Sequence, residues 1–320
     1  MNNNFDILIG PNDKKCAYGR TFNNGSCIDV ELLHLMAKGF NESIRRDNMS
    51  KNYIININNS RLHNDPINYK IYLLKEFSVK MKNLYKCTTQ KCWIEQNFVN
   101  LILDFAENKV HNKTDNTKLE QLTKYTFAPD GPKCDEWLST KNIEDYFDQI
   151  MKIDNNFKFL GAVPRDFDNL PILGLSDLNF DKYANRGIHK FGIVFNLDKH
   201  TESGSHWVMM YSDIKKGTVY FADSYGMKPN KEFIDLMNKF KKYIISKNIT
   251  PDIKISNIKH QKSNSECGMY SMYFINFFRT GGLFENISNN KVPDSFVYNL
   301  REKYFYVDNK SCKIPKILRS

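Results

Sequence analysis

The sequence lacks the features of a membrane-spanning or secreted chain. No run of about eighteen apolar residues occurs in it, and its first residues, MNNNFDILIG, lack the charged and apolar halves of a signal peptide. We therefore expect neither membrane insertion nor secretion, and we expect the seven cysteines to lie in a reducing compartment. Their odd number agrees with this expectation, because an unpaired thiol is then available for chemistry.

The sequence also lacks a metal-binding pattern and a basic arm. Cys87 and Cys92 form a lone C-x4-C pair, and no other cysteine or histidine shows the paired spacing of a structural zinc site. We expect no metal and no other cofactor. The net charge is +10, but lysine and arginine are spread over the whole chain, so we expect a solvated basic surface with weak contact to nucleic acid rather than a dedicated binding groove.

Helical periodicity is present in the first 130 residues. Two sets of apolar residues recur mainly at spacings of three and four, the pattern of a helix with one apolar face. The sets are Leu74, Phe77, Met81 and Leu84, and Ile94, Phe98, Leu101, Ile102 and Phe105. The asparagine-rich stretch 48–68 is expected to be a loop. The prolines and glycine of FAPDGPKCDEW, residues 127–137, break the pattern, so we place a helical N-terminal arm domain at 1–130 and a second domain at 131–320.

The residue pattern of the second domain differs from that of the first. Three short segments are aromatic and β-branched, as strands are, at 190–198, 206–213 and 218–224. The four residues IKKG between the last two are a natural hairpin connection. Beyond them the sequence predicts a helix, a short strand and a very apolar helix, at 231–247, 252–258 and 267–278. The predicted fold class is α+β, with a central mixed β-sheet flanked by helices and preceded by the helical arm.

Cys267 stands at the start of the last predicted helix, in the stretch QKSNSECGMY. Thiolate is the nucleophilic form of cysteine, and the first turn of a helix favours it, because unpaired backbone N–H groups and the helix dipole attract negative charge. Gly268 permits the close approach that such a turn needs. The alternative is that Cys267 is one more small apolar residue of a core helix.

The partners that a catalytic cysteine needs are present. A histidine must take its proton, and a carboxylate must orient the imidazole. If IKKG is a hairpin, His206 at the start of one strand and Asp223 at the end of the next lie at the same end of the sheet. Gln261 can donate its amide N–H to the charge that grows on a carbonyl oxygen under attack. Asp213 is interpreted as a turn former, and His260 as a packing or surface residue.

Three strings, HWVMMYSD, TVYFADSYG and QKSNSECGMYS, carry a resemblance to a known superfamily. They resemble the His-Trp, Asp-Ser and Gln-x5-Cys-Gly signatures of the adenain-like cysteine proteases of clan CE, which include the SUMO and NEDD8 proteases. The order of the motifs also agrees. Within the superfamily, the sequence is similar to the polyprotein-processing proteases of African swine fever virus and giant DNA viruses, which carry a helical arm before the protease domain.

The resemblance implies a cysteine endopeptidase that acts through a thioester. Cys267 would be the nucleophile, and His206 would be the general base and later the acid. Asp223 would orient His206, and Gln261 would be the oxyanion donor. Four motifs in the right order are a more specific signal than any one of them.

The resemblance also implies a substrate class. Family members cleave after small residues, typically Gly-Gly, because aromatic walls narrow the cleft. Trp207 is expected to form one wall and Trp137 the other, although a core tryptophan is an equally good interpretation of Trp137. Gly268 is placed with the substrate-binding residues.

Maturation of viral structural polyproteins at Gly-Gly-x sites is the leading hypothesis. The partner would be a protein substrate with such a site, in the cytoplasm of an infected host cell (the viral factory), in the virion, or in both. A protease that removes SUMO or another ubiquitin-like modifier is the alternative. A less favoured one is an inactive module that binds ubiquitin-like or capsid proteins.

Overall fold

The computed structural model describes residues 12–105, 114–134 and 136–306. The chain divides into two compact units, Met1–Pro129 and Asp130–Ser320. Within the described ranges, no helix is long and apolar enough to cross a bilayer. The assignment of the two parts of the chain as an arm and a catalytic domain stays a prediction.

The first unit is built from helices. Its α-helices are α1 (Val30–Arg46), α2 (Asn59–Asn64), α3 (Pro66–Tyr85), α4 (Gln90–Ile94) and α5 (Thr114–Thr123), and its 3-10 helices are Lys51–Tyr53 and Asn97–Phe105. The prediction of a loop at 48–68 is wrong, because α2 and the start of α3 fall within it. Asn58 caps α2 by accepting the backbone N–H of Arg61, and Pro66 suits the first turn of α3. Asparagine and proline therefore begin helices here.

The apolar run 94–105 is mostly a 3-10 helix rather than an α-helix. Apolar spacing of three and four does not separate these two windings over so short a run. Gly39 on α1 allows this segment to approach closely, since a Cβ at Gly39 would lie 2.9 Å from the carbonyl oxygen of Phe98.

Two disulfides lie in the first unit. Cys16 is bonded to Cys27 and Cys87 to Cys92, with Cα–Cα distances of 5.4 and 5.5 Å. The expectation that the cysteines are reduced is therefore wrong for these four. The chain folds to bring each pair within the range that a disulfide spans. Among the described residues, Cys267 is the free cysteine, and no group of three or more side chains there could hold a metal ion.

The second unit contains a five-stranded sheet in the order β1-β2-β3-β4-β5. The strands are β1 (Phe157–Val163), β2 (Lys190–Asn196), β3 (Trp207–Asp213), β4 (Thr218–Ala222) and β5 (Asp252–Ile255). The three central strands are antiparallel, and each edge strand pairs in parallel with its neighbour. The prediction of a mixed sheet is confirmed. The edge strand β1 was missed, because Gly161 and a register shift between Phe159 and Ala162 interrupt its alternation.

Helices cover both faces of the sheet, as expected for an α+β fold. They are α6 (Thr140–Ile153), α7 (Phe180–Ala184), α8 (Lys231–Ser246), α9 (Cys267–Arg279), α10 (Phe284–Asn289) and α11 (Asp294–Tyr304). The β3 side chains alternate between two cores: Met209 packs with residues of α6 and α9, and Met210 with residues of α8. Because β3 is buried on both faces, its sequence is almost continuously apolar. The helix that starts at Cys267 is confirmed.

Candidate active site

His206 and Asp223 meet at one end of the sheet. His206 directly precedes β3 and Asp223 directly follows β4, and the antiparallel hairpin between these strands brings both to the same end. His206 Nε2 lies 2.7 Å from Asp223 Oδ1, and Asp223 is buried. The same Oδ1 also accepts the backbone N–H of Tyr225 at 2.8 Å. The carboxylate is therefore fixed by two hydrogen bonds.

Cys267 is the first residue of α9, and its side chain is buried. The Cys267 side chain also interacts with the imidazole of His206 and acts to raise its pKa. Since Nε2 of the ring faces Asp223, Nδ1 is the nitrogen left for the thiol. The first turn of the 13-residue helix adds the positive end of its dipole at the sulfur. A histidine thus bridges a carboxylate and a free thiol.

The charged form of His206 is favoured by its neighbours. Burial by itself lowers the pKa of an imidazole, but the hydrogen bond to Asp223 and the interaction with Cys267, together with the charges of both, raise the pKa of His206 to about 9. The His206 side chain is only 11% exposed, so water screens these interactions weakly. At neutral pH the imidazole therefore carries a proton.

Gln261 is fully buried and tied to the segment after β4. Its Oε1 accepts the hydroxyl of Ser224 at 2.6 Å, and its backbone N–H donates to the Ser224 carbonyl oxygen. Its Nε2 donates to the Ser263 carbonyl oxygen at 2.8 Å and to the Tyr225 hydroxyl at 3.3 Å. The side chain of Gln261 is therefore shielded from solvent, and its amide is held in one orientation.

A buried ion pair fixes the residue before Cys267. Glu266 is fully buried, and Arg301 on α11 donates to both of its carboxylate oxygens at 3.0 Å. Sequence reasoning missed this pair, although Arg301 lies one turn beyond the buried Val297 on α11. A charge on the apolar face of a helix is a signal for a buried partner.

Asp294 at the start of α11 fixes the loop between Gln261 and Cys267. Its carboxylate accepts the backbone N–H groups of Lys262 and Ser263, and the hydroxyl of Tyr270. These contacts tie the loop to α9 and α11. No local sequence pattern identifies such a contact, because Asp294 is about thirty residues from the N–H groups that it accepts.

Two tryptophans border a cavity of about 620 Å³. Trp207 is buried, and its Nε1 donates to the Leu138 carbonyl oxygen at 2.9 Å. Trp137 is 50% exposed, so the interpretation as a core tryptophan is wrong. Gly268 packs against Leu138, which also lines the cavity, since a Cβ at Gly268 would lie 2.9 Å from Leu138 Cδ1. The cavity is also lined by Pro164, Leu170, Leu173, Asn196 and Gly204.

Two other His–Asp pairs occur among the described residues of the second unit, without a thiol. His189 Nδ1 lies 3.0 Å from Asp213, and His200 Nδ1 lies 2.7 Å from Asp166. Asp213 also accepts the N–H groups of the hairpin turn, as expected of a turn former. A His–Asp contact alone therefore does not identify the site.

His260 is a packing residue. It is fully buried, and its Nδ1 accepts the backbone N–H of Val292. Burial, with a smaller effect of Lys291, lowers the pKa of His260 to about 4, so the ring is uncharged at neutral pH. The packing interpretation is the correct one.

Comparison with known proteins gives similarity over the sheet and the candidate site. A model of the family described as "Ulp1 protease family, C-terminal catalytic domain" matches residues 193–313. A protein of Acanthamoeba polyphaga mimivirus that is named as a thiol protease is 33% identical over 293 residues, which cover 88% of this chain and 89% of that protein. The SUMO-1 cysteine protease of African swine fever virus is 27% identical over 129 residues, 39% of this chain and 47% of that protein.

A solved structure is similar in fold. The crystal structure of the African swine fever virus protease superposes with a TM-score of 0.59 and 19% sequence identity, and covers 93% of this chain and 97% of that one. At this identity the likeness concerns the fold alone. It extends over both units of the chain.

Proposed function

Since this chain belongs to the Ulp1 protease family of cysteine proteases, we propose that it hydrolyses peptide bonds with Cys267 as its nucleophile. The observation that carries this proposal is the His206 imidazole, which contacts both the Cys267 thiol and the Asp223 carboxylate. A protonated imidazole beside a sulfur at a helix N-terminus favours a thiolate–imidazolium pair. Such a pair can attack a carbonyl carbon without further activation.

The reaction proceeds in two halves. The Cys267 sulfur bonds to the carbonyl carbon, the C–N bond breaks, and the His206 imidazolium gives its proton to the leaving amine. Water then attacks the thioester, and the neutral imidazole takes a proton from that water. The C–S bond then breaks, the carboxylic acid product leaves, and the Cys267 sulfur returns to the thiolate beside the protonated imidazole. Asp223 holds the ring in one orientation through both halves.

The oxyanion is stabilised by Gln261 and by the backbone N–H of Cys267. Of the two hydrogen bonds made by Gln261 Nε2, the 3.3 Å bond to the Tyr225 hydroxyl is the longer. Substrate oxygen takes this N–H in place of the hydroxyl as negative charge develops. The bonds to Ser224 and Ser263 keep the amide in position while it does so.

The substrate is a protein with a Gly-Gly-x type site, and its cleavage matures viral structural polyproteins. Trp137 and Trp207, which directly follows His206 in the chain, border the cavity, and we expect the cleft between them to admit a chain without bulky side chains before the cut. Gly268 has no side chain and so leaves space for Leu138, which also lines the cavity. The viral source of the relatives supports action in an infected host cell, in its cytoplasm or in the virion.

Removal of a ubiquitin-like modifier is the second candidate, because one relative is named a SUMO-1 cysteine protease. The test is a panel of fluorogenic substrates: peptides that span candidate polyprotein junctions, and tails of ubiquitin-like proteins. We expect cleavage of the junction peptides to exceed that of the tails. The reverse order would favour the second candidate, and cleavage of neither would support an inactive binding module.

A further inference from the structure

Tyr225 contacts three parts of the candidate site, although it is not part of the Asp-Ser signature that directly precedes it. Its ring stacks on the imidazole of His206, with ring centroids 4.8 Å apart and planes at 21°. Its backbone N–H donates to Asp223 Oδ1. Its hydroxyl donates to the Ser263 carbonyl oxygen at 2.8 Å and accepts from Gln261 Nε2 at 3.3 Å. One residue thus touches the imidazole, the carboxylate and the loop before Cys267.

We propose that Tyr225 is a positioning residue that keeps the His206 imidazole turned toward the Cys267 sulfur. An imidazole held only by Asp223 could still rotate about that hydrogen bond. The flat stack on Tyr225 restricts this rotation, because tilting the ring would break the contact between the two faces. The proposal rests on the proposed function for its consequence in catalysis, but the positioning itself concerns only the free protein.

The Tyr225 ring is itself held from the loop side. The hydroxyl bond to Ser263 fixes the far end of the ring, and Ser263 is held in turn by Asp294. Lys259 Nζ lies 5.6 Å from the ring centroid, at the distance of a cation–π contact. The ring is therefore fixed at its edge and at its backbone, and can serve as a rigid support.

Among the described residues, the charged groups that act on the imidazole of His206 are Asp223 at the end of β4 and Cys267 at the start of α9. Asp294 on α11 and Lys259 before the loop face Tyr225 rather than the imidazole. A change of Tyr225 to an uncharged side chain therefore alters the geometry of these groups without altering their charge.

The experiment measures the pH dependence of alkylation of Cys267 by iodoacetamide. Wild type, Tyr225→Phe and Tyr225→Leu are compared by mass spectrometry of the Cys267 peptide between about pH 5 and pH 9. The matched controls are Tyr243→Phe and Tyr243→Leu. Tyr243 on α8 is also partly buried, in contact with an aromatic ring and hydrogen-bonded through its hydroxyl, but it packs against the other core.

We expect the alkylation rate of Tyr225→Leu at about pH 6 to fall roughly threefold to tenfold, with its midpoint moved to higher pH. Tyr225→Phe keeps the stack and loses the tether to Ser263, so its midpoint should lie between those of wild type and Tyr225→Leu. Both Tyr243 variants should keep the wild-type midpoint. With a cleavable peptide, Tyr225→Leu should lower kcat and leave KM near its wild-type value.

A folded Tyr225→Leu with the wild-type midpoint would overturn the proposal, because a side chain that only packs changes stability and not the pH profile. If Tyr225→Leu does not fold, the alkylation midpoint of Tyr225→Phe decides. A midpoint equal to that of wild type would then contradict the proposal. If wild type cleaves none of the peptides, the proposed function is contradicted instead. The alkylation midpoint would still decide the role of Tyr225.

Discussion

At the scale of single residues, chemistry depends on a few polar side chains that are buried and hydrogen-bonded. His206, Asp223 and Gln261 are each held by at least two partners or by one partner and a stacked ring. A site fixed in advance in this way stabilises a transition state without rearrangement. The residues lie on rigid strand ends and on a braced loop.

Replacement of Gln261 by alanine should lower kcat about a hundredfold, because one donor to the oxyanion is lost. Alkylation of Cys267 should persist, since Gln261 does not contact the thiol–imidazole pair. The measurement is steady-state kinetics on the best peptide, with Gln96→Ala in the first unit as control for loss of a partly buried amide contact. A kcat of Gln261→Ala close to wild type would exclude the oxyanion role.

The proton on His206 predicts two effects of pH. Its pKa of about 9 in the folded chain lies above the ordinary 6.5, so the stability that it contributes is present below about pH 6.5 and is lost as pH rises through about 9. As pH rises through the same range, kcat/KM should fall, because the leaving amine loses its proton donor. Denaturant unfolding of wild type and His206→Gln across this range provides the check, and a pH slope equal in both chains would contradict it.

At the scale of elements, buried charges join the start of α9 and the loop before it to α11. Glu266 and Arg301 lie in the interior, and a buried charge that loses its partner is costly. The position of the Cys267 backbone therefore depends on α11, although α11 supplies no proposed catalytic group.

Arg301→Met should lower the free energy of unfolding by roughly 3–5 kcal/mol, because it leaves the Glu266 carboxylate buried and unpaired. The double variant Glu266→Met with Arg301→Met should recover most of this loss. Arg279→Met at the other end of α9 is the control, since its partner Asp154 is more exposed and the cost should be smaller. Chemical denaturation of the four chains measures the differences, and an Arg301→Met chain as stable as wild type would refute the argument.

Elements defined by local patterns could be predicted from the sequence, and elements defined by distant contacts could not. The hairpin at 214–217 and the helix from Cys267 follow from alternation, turn residues and apolar spacing, and the hairpin brings His206 to Asp223. The edge strand β1 was hidden by its register shift. The contacts of Tyr225 with His206 and Ser263 join residues far apart in the chain, so no spacing reveals them.

At the scale of the whole molecule, the chain combines disulfides with a thiol that must stay free. The Cys16–Cys27 and Cys87–Cys92 bonds close loops in the first unit, with sequence separations of 11 and 5. Disulfides are rare where thiols are kept reduced. Their presence favours an oxidising step during the life of the protein, whereas Cys267 in the second unit is free and buried.

Labelling of native protein without reductant should therefore modify Cys267 and spare the four bonded cysteines of the first unit, Cys16, Cys27, Cys87 and Cys92. Reduction should then expose these four to the reagent. It should also lower the stability of the first unit, by roughly 2–4 kcal/mol for a typical disulfide. Peptide mapping by mass spectrometry gives the answer, and labelling of all four before reduction would show that the bonds do not form.

The account depends on attack by the Cys267 sulfur on a peptide carbonyl. The most direct measurement is to incubate extracts that contain the candidate polyproteins with wild type or with Cys267→Ala, and to map the new protein N-termini by mass spectrometry. The account predicts N-termini that follow Gly-Gly or other small residues with wild type, and none of them with Cys267→Ala. The same N-termini produced by both proteins would contradict it.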